Sequence, residues 1–338
     1  MLTDDLTFCP YRPAQEDEVV ALLRAALGEG NPATPRTASY WRWKHFENPF
    51  GRSYILLATD PQDGTIAGVR TMMRWTFLTP EGEEVRAVRA VDTATHPRYQ
   101  RRGIFSRLTL RALEELEREG VRFVFNTPNQ MSMPGYLKMG WQQAESRKLY
   151  VRILNPWRFL QGVSGRLTGG SLGGPVEPPL TTWHQFAAEQ PHALRRLIDQ
   201  PGAHLGLKTP LSWEYASWRY GGHPSVNYSL LPLRESECLR GIAICRPNVR
   251  FGLRELVMAD GLGSFQGLAA AIRPLKKHYD YIVCHFAPDH PLQKSLRRAG
   301  FVPIPNRKIE FVVRPLSGGA GDVPSLRWDL RLSDLELF

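Results

Sequence analysis

The sequence predicts an α/β protein with mixed sheets, built from two tandem copies of one fold, the second of them degenerate. Three observations support this prediction. A strand, a tight turn, a helix and a strand follow one another over residues 91–125, a stretch rich in Gly, Ser and Pro covers residues 161–179, and motifs that precede this stretch return after it. A length of 338 residues also exceeds what one hydrophobic core usually holds.

The strongest signal is segment 91–108, which is typical of a strand, a basic turn and the start of a helix. Gln100–Phe105 offers successive backbone N–H groups, Gly103 permits close approach of a ligand, and the helix dipole points its positive end at the same place. Leu108–Arg118 has an apolar face at helical spacing, and Gly120 is placed to end the helix. The turn predicts a site for an anion such as pyrophosphate, although a basic surface loop ahead of a helix would look similar.

A degenerate repeat relates the two sides of the Gly-rich stretch. Tyr40–His45 is echoed by Tyr215–Tyr220, and segment 123–141 is echoed by segment 281–301, both of which close on Gly followed by an aromatic residue. Chance similarity between two α/β domains is the alternative. The repeat favours two copies of one fold.

The second copy differs where a cofactor would bind. Asp260 lines up with Asp92, but Gly261–Gly267 lacks an Arg-Arg-Gly turn, and Leu296 replaces Tyr136. We therefore expect the second copy to have lost its cofactor site. The predicted organisation is a catalytic domain, a Gly/Pro-rich linker, a degenerate domain and a C-terminal tail, at residues 1–155, 156–180, 181–315 and 316–338.

Composition limits the function classes. The formal charge of +10 could attract an anionic cofactor, a membrane or nucleic acid, but the Arg residues are scattered and no basic block is interleaved with aromatics. No apolar run is long enough to span a bilayer, and the acidic start lacks a signal-peptide core. The Cys residues lack C-x-x-C spacing and the His residues lack metal-ligand spacing. We expect a cytoplasmic protein with reduced interior thiols and no metal, membrane or nucleic-acid partner.

After the second strand of this unit come Asn129, Tyr136 and the pair Gly140-Trp141. Together with Gln100–Gly103 these residues resemble the GNAT superfamily of acyl-CoA N-acyltransferases, whose turn is written Q/R-x-x-G-x-G/A and whose later segment closes on Y-x-x-x-G-F. One position departs, since Phe105 stands where many members have a second Gly or Ala. The branch that resembles the enhanced-intracellular-survival aminoglycoside acetyltransferases tolerates a large apolar residue there, and it includes tandem GNAT pairs with one active half.

The resemblance implies acetyl-CoA as the co-substrate. Backbone amides of the turn would bind the pyrophosphate, and the strand before it would pair with the pantetheine arm. In the family this strand splays from its neighbour, and Pro128 permits such a gap because it ends the second strand early. The residues expected to bind the cofactor are Ala94, Thr95, Gln100, Arg101, Arg102, Gly103, Ile104, Phe105, Ser106 and Asn129.

The resemblance also implies the catalytic residues. Tyr136 would be the general acid, because a phenol stays protonated at neutral pH and can give its proton to the departing thiolate; without the family pattern, a packing tyrosine would be the better interpretation. Asp92 stands where members often carry a carboxylate that deprotonates the amine through water, and a solvated or salt-bridged Asp is an equal alternative. His96 is a further candidate, although its place beside Pro97 favours a structural role. In the branch named above the C-terminal carboxylate serves as the base, which here would belong to Phe338.

The sequence does not identify the acceptor. Several aromatic residues could line an acceptor cleft, although core packing is the better interpretation for most of them: Trp41, Trp43, Phe46, Phe50 and Trp75. Three carboxylates could attract an amine: Glu47, Glu83 and Glu84. We expect acetyl transfer to a primary amine of a small molecule or peptide, by a protein that could form a homo-oligomer. The alternatives are a longer acyl or aminoacyl donor, or a noncatalytic protein that binds acyl-CoA.

Overall fold

The computed structural model describes residues 6–31, 33–144, 147–164, 180–200, 206–236, 238–316 and 326–335. The strands, in chain order, are β1 (Thr7–Pro10), β2 (Gly30–Asn31), β3 (Thr34–Pro35), β4 (Tyr54–Thr59), β5 (Ile66–Leu78), β6 (Glu84–Thr95), β7 (Phe123–Asn126), β8 (Gln142–Gln143), β9 (Arg147–Ile153), β10 (Thr181–Thr182), β11 (Ser229–Glu235), β12 (Cys238–Arg250), β13 (Leu253–Gly263), β14 (Tyr281–Cys284), β15 (Val302–Ile309) and β16 (Val312–Pro315). The α-helices are α1 (Glu16–Leu27), α2 (Ala38–His45), α3 (Ile104–Arg118), α4 (Met133–Lys138), α5 (Pro156–Val163), α6 (Trp183–Glu189), α7 (Pro191–Asp199), α8 (Trp213–Ala216), α9 (Leu268–Ile272), α10 (Gln293–Arg298) and α11 (Leu332–Leu335).

The strands form two mixed sheets of seven strands each, beside the small hairpin β2–β3. The first sheet has the order β1-β4-β5-β6-β7-β16-β8, and the second has the order β10-β11-β12-β13-β14-β9-β15. In both sheets the long antiparallel strands are followed by one parallel pair, β6 with β7 and β13 with β14. The predicted fold class, an α/β protein with two tandem copies of one mixed-sheet fold, is confirmed.

The two halves exchange one strand each. The strand β9 pairs with β14 and β15 in the second sheet, whereas β16 pairs with β7 and β8 in the first sheet. The predicted domain ranges follow the chain and do not show this exchange. The predicted linker begins with helix α5, and its residues 165–179 lie outside the described residues.

Helix α3 forms where its apolar spacing predicts it. Its face Leu108, Ala112, Leu113 and Leu116 is buried against the first sheet. Gly103, with φ +72°, precedes the first turn, and Gly120, with φ +79°, follows the last. Because both residues have left-handed backbone conformations that favour glycine, the helix begins and ends at these two positions.

A shared core of aromatic side chains lies between the halves, with Trp43, Phe50 and Trp75 from the first and Tyr215 and Trp218 from the second. Core packing is therefore what most of the amino-terminal aromatics do. The interior thiols are Cys245 and Cys284, whereas Cys238 is exposed, contrary to the prediction for the cysteines. Among the helices described, none has the length and apolar character needed to cross a membrane.

Candidate active site

The turn before α3 presents a run of backbone N–H groups. The amides of Arg101–Ser106 have no hydrogen-bond partner among the described residues, whereas the Gln100 amide donates to the Pro97 carbonyl at 3.4 Å. The run thus begins one residue later than predicted. Arg101 and Gly103 have φ of +65° and +72°, and alternation of left-handed with right-handed residues is the backbone pattern of anion-binding turns. Six amides at a helix N-terminus are the kind of arrangement that binds anions, and the pyrophosphate site predicted here stays a prediction.

The gap between two parallel strands lies next to this turn. Strands β6 and β7 pair only from Ala87 to Arg89, while β6 continues along β5 as far as Thr95. The other edge of β6 at Ala94 and Thr95 therefore has no strand partner in the described part of the chain. An extended ligand arm would find backbone donors and acceptors there.

Tyr136 lies on α4, on the side of the first sheet that α3 covers. Its side chain is buried in one cluster with residues of β5, β6 and α3. Its oxygen accepts a hydrogen bond of 2.9 Å from Arg70 Nη1. Phe105, from the first turn of α3, packs edge-on against the Tyr136 ring with centroids 5.6 Å apart. This contact explains a large residue at the position where the turn pattern has Gly or Ala.

Asp92 lies near the carboxyl end of β6, because that strand starts at Glu84, seven residues before the predicted unit at residues 91–125. Between Val91 and Ala94 β6 has one residue more than β5, and Asp92 in this bulge has φ +35°. A bulge re-aims a side chain, and here it turns Asp92 toward α2.

Asp92 is ion-paired and not merely solvated. Its Oδ2 lies 2.7 Å from Lys44 Nζ and 2.9 Å from His45 Nε2. Burial works against ionisation of Asp92, but the Lys44 ammonium and the His45 hydrogen bond outweigh it and hold the pKa of this carboxyl well below its usual range. Burial also lowers the pKa values of Lys44 and His45. Asp92 is thus a carboxylate at neutral pH, held on one oxygen.

A cavity of about 160 Å³ lies over Asp92, on the face of the sheet opposite Tyr136. Its polar lining is Thr34, Arg36, Thr37, Tyr40, Lys44 and Asp92, and its apolar lining is Val20, Leu23 and Trp41. Of the predicted acceptor aromatics, Trp41 alone lines this cavity. The carboxylates proposed to attract an amine, Glu47, Glu83 and Glu84, are exposed and do not line it.

Three further candidates have local roles. Asn129 Oδ1 accepts from the amides of Met131 and Ser132, so this side chain orders the loop before α4. His96 Nδ1 accepts from the Arg98 amide and caps the turn. The Phe338 carboxylate lies outside the described residues. The last described residue, Leu335, is buried, and its carbonyl accepts from Arg89 and Thr127 beside the strand gap.

The second half repeats part of the site's backbone and its carboxylate, but it lacks the basic turn and the tyrosine. Gly267, with φ +83°, precedes α9 as Gly103 precedes α3, and Tyr220 donates to Asp260 as His45 bonds Asp92. A cavity of about 490 Å³ adjoins the end of β13, but Ser264–Gln266 stands in place of the basic turn. Leu296 occupies the place of the tyrosine.

Sequence reasoning missed three residues that the structure places in the site. Lys44 and His45 were part of the repeat motif but were given no role, and Arg70 was not singled out. One pattern in the sequence could have identified Arg70: it is a charged residue within the mostly apolar sequence of β5. A charged residue at such a position is buried and needs a partner.

The first half thus combines a parallel-strand gap, an amide-rich turn, a buried tyrosine on one face of the sheet and a carboxylate on the other. Residues 8–144 match the family model for the acetyltransferase (GNAT) domain. Over residues 8–144 this match confirms the resemblance to GNAT domains that the sequence predicts. Comparison with curated proteins found no match by sequence.

Solved structures similar to the chain extend over both halves. They include a GCN5-related N-acetyltransferase from Anabaena variabilis (14% identity, 92% of this chain and 73% of that chain covered, TM-score 0.63). They also include a probable N-acyltransferase of unknown function from Enterococcus faecalis (12% identity, 92% of this chain and 72% of that chain covered, TM-score 0.62). A third is Eis1 from Mycobacterium abscessus (16% identity, 94% of this chain and 75% of that chain covered, TM-score 0.55). At such identities the likeness shows a shared fold, here a fold that includes the second half.

Proposed function

We propose that the protein is an N-acetyltransferase that moves an acetyl group from acetyl-CoA to a primary amine. The observation that carries this proposal is the run of six amides, Arg101–Ser106, that find no hydrogen-bond partner among the described residues, at the N-terminus of α3 and beside the open edge of β6. The amides would bind the pyrophosphate, with added charge from the exposed Arg101 and Arg102 side chains. The backbone of Ala94 and Thr95 would pair with the pantetheine arm and direct the thioester into the gap.

The acceptor amine would enter from the opposite face, through the cavity over Asp92. The acceptor's ammonium group first gives one proton to water; its nitrogen then attacks the thioester carbonyl, a C–N bond forms, the C–S bond breaks, and a second nitrogen proton passes to water. Tyr136 gives its phenolic proton to the departing thiolate. Holding the two reactants together supplies the largest share of the rate, on the order of 7 kcal/mol or more, whereas one proton transfer contributes about 3–5 kcal/mol.

The electrostatics favour one role for Asp92 over another. A carboxylate whose pKa is lowered is a weak base at neutral pH, since a general base works best with a pKa near the operating pH. The same carboxylate attracts an ammonium group. We therefore assign Asp92 to binding and orienting the acceptor amine in preference to removing its proton. The cavity volume of about 160 Å³ admits the reacting end of an acceptor and excludes a large molecule from the same space.

The test is turnover of acetyl-CoA with defined amines: spermidine, L-lysine, tyramine and a short lysine-containing peptide. Release of CoA thiol and the mass gain of one acetyl group on the amine are the expected results. Binding of acetyl-CoA without turnover of any amine would favour the noncatalytic alternative. A higher kcat/KM with longer acyl-CoA donors would favour the alternative with a longer donor.

A further inference from the structure

Arg70 is a fully buried cation in β5 whose charge has no counter-ion in the described part of the chain. Its Nη1 donates to Tyr136 Oη at 2.9 Å, and its Nε and Nη2 find no hydrogen-bond partner among the described residues. The guanidinium lies 5.6 Å from the Phe105 ring centroid and 5.4 Å from that of Tyr136. Burying such a cation without a carboxylate partner lowers the stability of the fold. An ion pair therefore does not account for the presence of Arg70 in this strand.

The direction of the hydrogen bond decides what Tyr136 can do. Arg is a donor only, so the Tyr136 oxygen is the acceptor and its own proton is directed elsewhere. When the phenol gives up that proton, negative charge forms on an oxygen that already faces a buried guanidinium. In a low-dielectric site a fixed cation stabilises such charge strongly.

The repeat supports a functional link between the two residues. Val69 pairs with Ala94 in the first sheet, and Ile242 pairs with Leu262 in the second. Because Asp260 is the counterpart of Asp92, the next residue along each strand makes Ala243 the counterpart of Arg70. Ala243 is buried in one apolar cluster with Leu296. The half without the tyrosine is thus also without the arginine.

We propose that Arg70 is a positioning residue for Tyr136, which fixes the phenol as a proton donor and stabilises the phenolate formed when the thiolate takes the proton. In this step the O–H bond of Tyr136 breaks, an S–H bond forms, and the electron pair stays on the phenolic oxygen until water returns a proton. The inference rests on the proposed function.

A double-mutant cycle tests the proposal, with acetyl-CoA and the best amine of the panel above. Arg70→Met is expected to lower kcat by about 10- to 100-fold, and Tyr136→Phe by about 100-fold, with the KM for acetyl-CoA within about twofold. In the double variant Arg70→Met is expected to add no further loss, because its partner is gone. Arg70→Lys, which keeps a cation and a donor, is expected to restore most of the rate. Losses that multiply in the double variant would overturn the proposal.

A second readout does not depend on turnover. In unliganded protein labelled with ¹³C at tyrosine Cζ, the Tyr136 resonance is identified by its loss in Tyr136→Phe. This resonance is expected to move in Arg70→Met and to stay in Arg147→Met, a matched change of a buried arginine that lies over Phe311 in the shared core. An unmoved resonance in Arg70→Met would overturn the proposal. Absence of turnover by the wild-type protein would count against the proposed function, and the resonance would still test the contact.

Discussion

Trp43 and Trp218 make the same contact with each other in both directions. The Trp43 indole N–H donates to the Trp218 carbonyl at 3.0 Å, and the Trp218 indole N–H donates to the Trp43 carbonyl at 2.9 Å. Their rings stack with centroids 4.9 Å apart. The two residues occupy equivalent places in the repeat, so a pseudo-two-fold relation between the halves passes between them. The exchanged strands β9 and β16 follow the same relation.

This contact is expected to make the halves unfold together. Trp43→Phe and Trp218→Phe each leave a buried carbonyl without its donor, at a cost of about 1–3 kcal/mol. Because both residues belong to one contact, the double variant is expected to lose less than the sum of the single losses. Urea unfolding followed by circular dichroism measures these losses, and we expect one transition for the whole chain. Two separate transitions in the wild-type protein would contradict the coupling.

The sequence was sufficient to predict the elements whose signals are local. The turn that begins at Gln100, helix α3 and the short helix that carries Tyr136 are each specified by neighbours in the chain, through helix spacing, glycine placement and the family pattern. The equivalence of Asp92 and Asp260 was also found from the repeat. All of these features depend on backbone geometry or on residues a short distance apart in the sequence.

The remaining features depend on contacts between residues distant in sequence. The exchange of β9 and β16 cannot be inferred from strand patterns, since a short apolar strand fits either sheet. The partners of Asp92 come from α2, far away in the chain, and the Arg70–Tyr136 bond spans 66 positions. Buried charges were the one usable signal, because a charge in an apolar strand requires a partner or a ligand.

Cofactor binding is expected to depend on Gly103. A glutamate there would add a negative charge to the anion site, in an open position where a Cβ meets no atom within 4 Å, so the loss is electrostatic more than steric. Gly103→Glu is expected to abolish acetyl-CoA binding in titration calorimetry. The matched control is Gly267→Glu, which has the same left-handed backbone in the second half and is expected to leave binding unchanged.

The same titration gives the stoichiometry. The second half lacks the basic turn and has Leu296 in place of the tyrosine, so we expect one acetyl-CoA per chain. Binding of nearly two acetyl-CoA molecules per chain, reduced to one by Gly267→Glu, would show that the cavity at the end of β13 binds the cofactor.

Replacement of Asp92 is expected to impair acceptor use without affecting the donor. Asp92→Asn removes the charge that would attract an ammonium group, so kcat/KM for the amine is expected to fall by about 100-fold, while the affinity for acetyl-CoA stays the same. The buried Lys44 also loses its counter-ion, which lowers the free energy of unfolding by about 1–3 kcal/mol.

The control for Asp92→Asn is Asp260→Asn. Asp260 is the counterpart carboxylate and pairs with the buried Arg331, so this change also destabilises the protein. It is expected to leave kcat/KM for the amine unchanged, which separates loss of stability from loss of acceptor binding. Equal losses of kcat/KM in both variants would contradict the assignment of Asp92.

Stability is expected to fall as the pH is lowered from about 7 to 5, because several histidines are buried in the neutral form. Burial lowers the pKa of His285 to about 4 and those of His223 and His290 to about 3. In the unfolded chain histidine titrates near pH 6.5, so between that pH and the folded values the unfolded state binds more protons. The stabilisation is therefore present in full above about pH 6.5 and is lost as the pH falls, at about 1.4 kcal/mol per pH unit for each histidine.

Urea unfolding at pH 7.5, 6.0 and 5.0 measures this slope. His285, whose Nδ1 donates to the Lys148 carbonyl at 2.7 Å, gives the sharpest variant. His285→Gln removes one titrating group. Below pH 6.5 it is expected to reduce the change in the free energy of unfolding with pH by about 1.4 kcal/mol per pH unit, the contribution of one proton. This expectation holds whatever the effect of the substitution on stability at pH 7.5. Replacement of the exposed His192 is the control and is expected to leave the slope unchanged. A free energy of unfolding that stays constant from pH 7.5 to 5.0 would show that the buried histidines take up protons in the folded protein.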